Sequence, residues 1–371
     1  MTSRRLRQFM LVIIVALLGL GIVAVYSASA MTSEATYGGS LRFIMHHLIA
    51  IVCGLALGLG CLMLPYSLVR KSARWLLLLS LLFLVLVVVC GPEVGGARRW
   101  FHVGRFSLQP SEFAQLSLVL YLSDLLARRA DAMHDFWRGL LPPLVATGLL
   151  AGLVLLQPDL GTAIAMGSVA LLLLAVAKAR WQHLVGVVGV AAVVLVFLIG
   201  GEEYRRRRIL AFLNPWQDPQ GIGYQILQSY YALASGGLAG LGLGASLQKL
   251  FYLPSAHTDF IFAIIGEELG FVGTTAIIGL FALFVTCGFR IAMALQDLFS
   301  KYLVCGVVGM LGLEATVNIA VVTGMLPTKG LPLPFISYGG SSMVMNLVAC
   351  ALLFHASRHG EHFNLESALG R

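Results

Sequence analysis

The chain has 371 residues, of which 58% are apolar and only 11% charged, with a mean hydropathy of +0.89 and a formal net charge of +8. A water-soluble domain of this size needs about a quarter of its residues charged, so the composition excludes an ordinary globular protein. At about 20 apolar residues per crossing, ten crossings use roughly 200 residues and leave only loops, with no room for a large soluble domain.

Taken in chain order, Arg4, Arg5 and Arg7 precede an apolar run from Phe9 to Val25 and then Ala28-Ser29-Ala30. That run exceeds the apolar region of a secretory signal, so the pattern predicts an uncleaved anchor. Apolar runs predict spans at 9–29, 44–64, 75–91, 110–127, 140–157, 160–177, 182–200, 260–289, 302–323 and 340–357. The expected fold is an all-α polytopic membrane protein of ten transmembrane helices, a single domain over 1–371. Its largest extracytoplasmic loop is 201–259, and a short polar tail covers 358–371. Fifteen of the 25 Lys and Arg fall in short segments on the side of the N-terminus, which makes both termini cytoplasmic.

Nine of the other ten basic residues lie in three outer loops: Arg98, Arg99 and Arg105; Arg205 to Arg208 with Lys249; and Lys329. Long loops tolerate solvated charge, but the same clustering suits a cationic basin for an anionic ligand. Cys53, Cys61, Cys90, Cys287, Cys305 and Cys350 sit in or beside apolar runs without CxxC spacing, and read as small buried residues.

Local motifs refine this picture. Gly54 and Gly58 form a GxxxG face suited to helix packing. Gln109-Pro110-Ser111-Glu112 and Gln157-Pro158-Asp159 each carry a helix-start signature. The run from Tyr224 to Leu233 has the tyrosines of an interfacial helix. The glycines at 236, 237, 240, 242 and 244 form no phosphate-binding pattern, and GxxxxGK[ST], HExxH and GxSxG are all absent. Nothing marks a nucleic-acid site.

Ionisable groups at membrane depth are costly and usually face a cavity or a partner. His257-Thr258-Asp259 stands at the mouth of the eighth span, with Glu267 and Glu268 inside it. On a helix Asp259 and Glu267 are about 12 Å apart along the axis, too far for a carboxylate dyad. Asp259 is then either a reactive carboxylate or a helix cap, and Glu267 or Glu268 is expected to pair with a buried base. Glu314 and Asn318 share a helix face and suit a buried hydrogen bond between helices. Before the last span, LPTKGLPLPFISYGGSS (326–342) brings Lys329, Gly340, Ser341 and Ser342 to a helix start that favours phosphate.

Six strings in order resemble the SEDS family of bacterial membrane proteins, over nearly the whole chain: GARRW (96–100), LQPSEFAQL (108–116), QPDLGTA (157–163), NPWQDPQGIGYQILQS (214–229), LPSAHTDFIFAIIGEELGFVG (253–273) and LPTKGLPLPFISYGGSS (326–342). Pro-Thr-Lys-Gly at 327–330 resembles the division type rather than the elongation type. The resemblance implies ten transmembrane helices. It also implies a peptidoglycan glycosyltransferase that polymerises lipid II, an undecaprenyl-pyrophosphate disaccharide-pentapeptide, at the outer face of the inner membrane during septal wall synthesis. Asp259 matches the family's essential aspartate. Arg99, Trp100, Glu112, Arg205, Arg208 and Lys329 match substrate-cavity positions, and His257, Gly340, Ser341 and Ser342 are grouped with them.

The resemblance further implies a class B penicillin-binding transpeptidase and other division proteins as partners. It names no certain cofactor and is compatible with a divalent cation, although no metal ligands are singled out. Two positions depart from the family pattern: Gln115 replaces a usual Lys, removing an ion pair with Glu112, and Ser255 replaces a frequent Glu near Asp259. A lipid II flippase and a non-catalytic division scaffold are the alternative readings.

Overall fold

The computed structural model describes residues 3–93, 96–103 and 106–368, excepting the side chains of 36, 37, 103, 106 and 361–368. Among these residues, eight helices are long and apolar enough to cross a membrane. They are α1 (Ser3–Tyr37), α2 (Arg42–Met63), α3 (Tyr66–Cys90), α5 (Leu141–Leu156, extended by a π-turn at Phe136–Leu140), α7 (Trp181–Gly200), α10 (Ile261–Met293), α11 (Leu298–Val322) and α12 (Gly340–Ala368). Two more helices complete the ten expected spans: α4 (Pro110–Arg128), which carries Glu112, Asp124 and Arg128, and α6 (Leu160–Val176), of 17 residues.

Helix starts follow local chemistry. Proline opens α4, where its missing N–H costs nothing. Asp159 caps α6 by accepting from the Thr162 amide at 3.1 Å, and Asp297 caps α11 through Ser300 at 2.9 Å. The glycine pair of α2 lies against α12, where a Cβ on Gly54 would meet Leu347 Cδ1 at 2.7 Å and one on Gly58 would meet Ala351 Cβ at 3.1 Å. Larger residues would force these helices apart. The densest packing surrounds α11, whose face from Phe299 to Gly312 is almost wholly buried. At the other extreme, no residue of α7 is buried.

Three features depart from a simple ten-span reading. Loop 92–109 contains a short antiparallel hairpin, β1 (Phe101–Val103) with β2 (Phe106–Leu108), paired Phe101 to Leu108. Arg105 lies at its turn, outside the described residues. The final helix runs on through the polar tail to Ala368, so the tail is helical rather than a separate segment, and Arg371 lies outside the described residues.

The third departure is a break in α10 at Gly270, where φ is 67° and ψ −163°. A break in mid-membrane strands carbonyls and amides that lipid cannot satisfy. The glycine-rich stretch after α9 (Tyr224–Gly236) fills this need with its own main chain. Leu241 and Gly242 amides donate to Glu267 and Glu268 carbonyls at 3.0 Å each, and Phe271 and Val272 amides donate to Gly237 and Leu238 carbonyls at 2.9 and 3.1 Å. The glycines that form no nucleotide loop therefore act as a plug for a broken helix.

A Cβ on Gly270 would overlap the Gly240 nitrogen and the Leu238 carbonyl, and its backbone angles are reserved for glycine. Gly270→Ala is expected to lose about 1–3 kcal/mol from the backbone alone, read as a lower melting temperature of the detergent-solubilised protein.

Candidate active site cavity

The loops between helices gather at one end of the bundle around a cavity of about 540 Å³, a size typical of small-molecule sites. Its polar wall comes from Arg99 of the hairpin loop, Asp159 at the start of α6, Arg205 and Arg208 of α8 (Glu203–Leu213), Gln225, Asp259 and Lys329. The apolar wall comes from Leu160, Ile164, Leu195, Ile199, Ile209 and Leu326. Five of the expected site residues are thus brought together: Arg99, Arg205, Arg208, Asp259 and Lys329.

Each guanidinium is tethered on one side. Arg99 donates to the Gln157 and Pro158 carbonyls at 2.8 and 2.5 Å, Arg205 to Leu198 O at 2.9 Å, and Arg208 to Thr328 O at 3.2 Å while stacking 4.4 Å from the Tyr204 ring. With five N–H donors apiece, tethering fixes their direction and leaves donors for an anion. Lys329 lies over the start of α6, its Cβ 3.7 Å from where a Gly161 Cβ would stand. Burial holds its ammonium below the usual lysine range, and Asp159 opposes that shift.

Asp259 is no helix cap; α10 begins after Phe260 and its cap makes no side-chain bond. The carboxyl lies against Gly330, with Oδ2 3.1 Å from the position of a Cβ there. Burial raises its pKa to about 6, against the pull of Arg208 and with the help of Asp159. The main chain leading to it is held closely. Three successive carbonyls accept three bonds: His257 O from Tyr338 N at 3.0 Å, Thr258 O from Ser337 Oγ at 2.7 Å, and Asp259 O from Asn318 Nδ2 at 2.9 Å.

Other expected site residues do not line this cavity. His257 packs in an aromatic group with Phe43 and Tyr338, at centroid distances of 4.8 and 5.7 Å, and burial lowers its pKa. Trp100 lies outside the lining. Glu112, in the first turn of α4, lies outside the lining as well. Gly340, Ser341 and Ser342 open α12 outside the lining: Ser341 Oγ accepts from Gln109 N at 3.3 Å beside the hairpin, and Ser342 Oγ accepts from Asn346 Nδ2 of the same helix at 3.4 Å. Both hydroxyls are engaged with protein groups, and none of the three residues is in the cavity lining.

The basic residues of the outer loops divide in the same way. Lys249 is buried and pairs with Glu268 at 3.0 Å, Arg207 pairs with Glu203, and Arg98 stands 3.9 Å from Glu93. Glu267 accepts from Ser246 Oγ and from the Leu247 and Gln248 amides. Gln115 donates to Glu314 at 2.8 Å, tying α4 to α11. Ser255 joins the cavity wall.

Asp159 was legible only as a helix start; its second role in the wall follows from the cap pointing outward beside Arg99. No three His, Cys, Asp or Glu side chains among the described residues are placed to hold a metal ion.

These features define a polytopic α-helical membrane protein built around a charged cavity at its loop-rich end. The profile of cell cycle proteins FTSW_RODA_SPOVE matches residues 8–362, and the chain belongs to that family. It is 45% identical over 350 residues to a probable peptidoglycan glycosyltransferase FtsW of Trichlorobacter lovleyi, covering 94% of this chain and 92% of that one. Its fold is similar to a chain in a solved peptidoglycan synthase complex that coordinates polymerization and crosslinking, with a TM-score of 0.79 and 32% identity over 95% of this chain and 98% of that one. It is also similar to the rod shape determining protein RodA of Thermus thermophilus, with a TM-score of 0.71 and 29% identity over 95% and 96% of the two chains.

Proposed function

We propose that this chain is a peptidoglycan glycosyltransferase that polymerises lipid II at the outer face of the bacterial inner membrane, at the division septum and beside a class B penicillin-binding transpeptidase. The observation that carries the reading is a cavity lined by the raised-pKa carboxylate of Asp259 together with three tethered guanidinium groups and Lys329, with apolar helix walls. A sugar pyrophosphate on an isoprenoid needs both kinds of wall.

In the reaction, an acceptor hydroxyl attacks the donor anomeric carbon and loses its proton to Asp259 as general base. The bond from that carbon to the pyrophosphate breaks with inversion. Negative charge then grows on the departing phosphate, and Arg99, Arg205, Arg208 and Lys329 stabilise it. The donor is already activated, so no nucleotide is consumed.

The test is purified protein with its transpeptidase partner and lipid II in detergent. Polymer formed without two compartments supports the enzyme. Movement of lipid II across a sealed bilayer with no polymer would make the chain a flippase, and neither activity would leave a scaffold.

The base works only when ionised, so the rate should fall as pH drops through about 6, the folded value for Asp259. Asp159 raises that value, and Asp159→Asn keeps a capping oxygen while removing the charge. The acid limb of its pH–rate profile should therefore move to lower pH. A limb that stays fixed would count against Asp159 acting on the base.

A further inference from the structure

We propose that Asn318 is a positioning residue for the glycosyl transfer, a clamp that sets the spacing between the Asp259 loop and the Lys329 loop. The inference rests on Asp259 being the base. Asn318 is 2% exposed on α11, outside the cavity lining, and its Nδ2 donates to two carbonyls at once: Asp259 O at 2.9 Å and Leu331 O at 2.7 Å.

One side chain therefore joins the residue that would take the proton to a residue two places from Lys329. The other two ties come from the far end of the same loop, through Ser337 and Tyr338. Ser337 Oγ also accepts from Leu333 N at 2.8 Å, so its own segment is folded back on itself. Among the described residues, Asn318 is the side chain that holds both loops from a third element, the largely buried helix α11. An amide is the fitting group, because its nitrogen carries two N–H donors for two carbonyls.

The spacing that the clamp sets is tight. Asp259 Oδ2 stands at 3.1 Å from a Cβ built on Gly330, so a shift of a few tenths of an ångström changes what the carboxylate touches. Displacements of about 1 Å away from productive geometry can cost about a hundredfold in rate.

The experiment compares Asn318→Ala, Gly330→Ala and Asp259→Asn in the full-length protein with its partner, measuring lipid II polymerisation, pH–rate profiles and melting temperature. Asn318→Ala should lower kcat by about tenfold or more with KM little changed. Freed from its seat, the Asp259 carboxyl gains water, and the acid limb moves to lower pH. The charged groups acting on it, Arg208 and Asp159, are untouched by this substitution. Gly330→Ala presses on the same carboxylate from the opposite loop and should also lower kcat; Asn318→Leu, of similar size and without N–H donors, decides the matter if Asn318→Ala does not fold.

The clamp is overturned if Asp259→Asn is inactive while both alanine variants keep wild-type kcat and acid limb. It is equally overturned if kcat and melting temperature fall together with the limb unmoved, which is what a merely structural role would give. Activity retained in Asp259→Asn would instead remove the base reading itself.

Discussion

Asp259→Asn is expected to abolish glycan polymerisation, by about 10²–10⁴-fold, the usual contribution of a positioned general base. The substitution keeps the side chain's size and leaves untouched the three main-chain bonds to residues 257–259, which come from Tyr338, Ser337 and Asn318. Folding and membrane insertion should therefore be unchanged, and gel filtration with the partner checks this. The effect should be on kcat, since the cations that would bind the pyrophosphate remain. A variant that is folded, bound to its partner and still polymerising at the wild-type rate would show that Asp259 is not the base. The raised pKa sharpens the expectation: a carboxylate near 6 is a stronger base than an ordinary one yet still ionised at neutral pH.

The second large effect concerns stability. Lys249 and Glu268 are 9% and 4% exposed in their side chains and pair at 3.0 Å, with Ser27 of α1 donating to the same carboxylate oxygen at 2.6 Å. Removing one partner leaves the other as an unpaired charge in a dry site, a loss of about 3–5 kcal/mol. Lys249→Met and Glu268→Gln should each lower the melting temperature sharply in detergent. The double variant should recover much of the loss, because neither charge then remains. Single variants that melt like the wild type, or a double variant as damaged as the sum of the singles, would show that the pair does not hold this junction.

Much of the architecture can be read from the sequence because lipid imposes a simple rule: each crossing must be a long apolar helix. The proline and aspartate at helix starts were equally readable, since capping is local. The break at Gly270 was not, because the helical pattern resumes after it and a single glycine in such a pattern is usually tolerated. The hairpin at 101–108 is three residues a strand, too short for an alternation to register.

The site was legible in part for a related reason. Asp259, Lys329, Arg99, Arg205 and Arg208 lie in four separate segments, and their motifs marked them without showing that they meet. Motif neighbours shared that mark but not the position: His257 turns into an aromatic cluster, and Ser341 turns to Gln109. The pairing of Gln115 with Glu314 crosses 199 positions of chain and has no local signature.

The plug in α10 also bears on how this protein can evolve. Residues 237–242 complete the interrupted helix through amides and carbonyls alone, so the identity of exposed side chains such as Leu238 and Leu241 matters little there. Register matters greatly: adding or deleting one residue would slide every donor past its acceptor. Positions 238, 239 and 241 should therefore accept substitutions freely, whereas Gly237, Gly240 and Gly242, held at positive φ, and the length of the segment should not change.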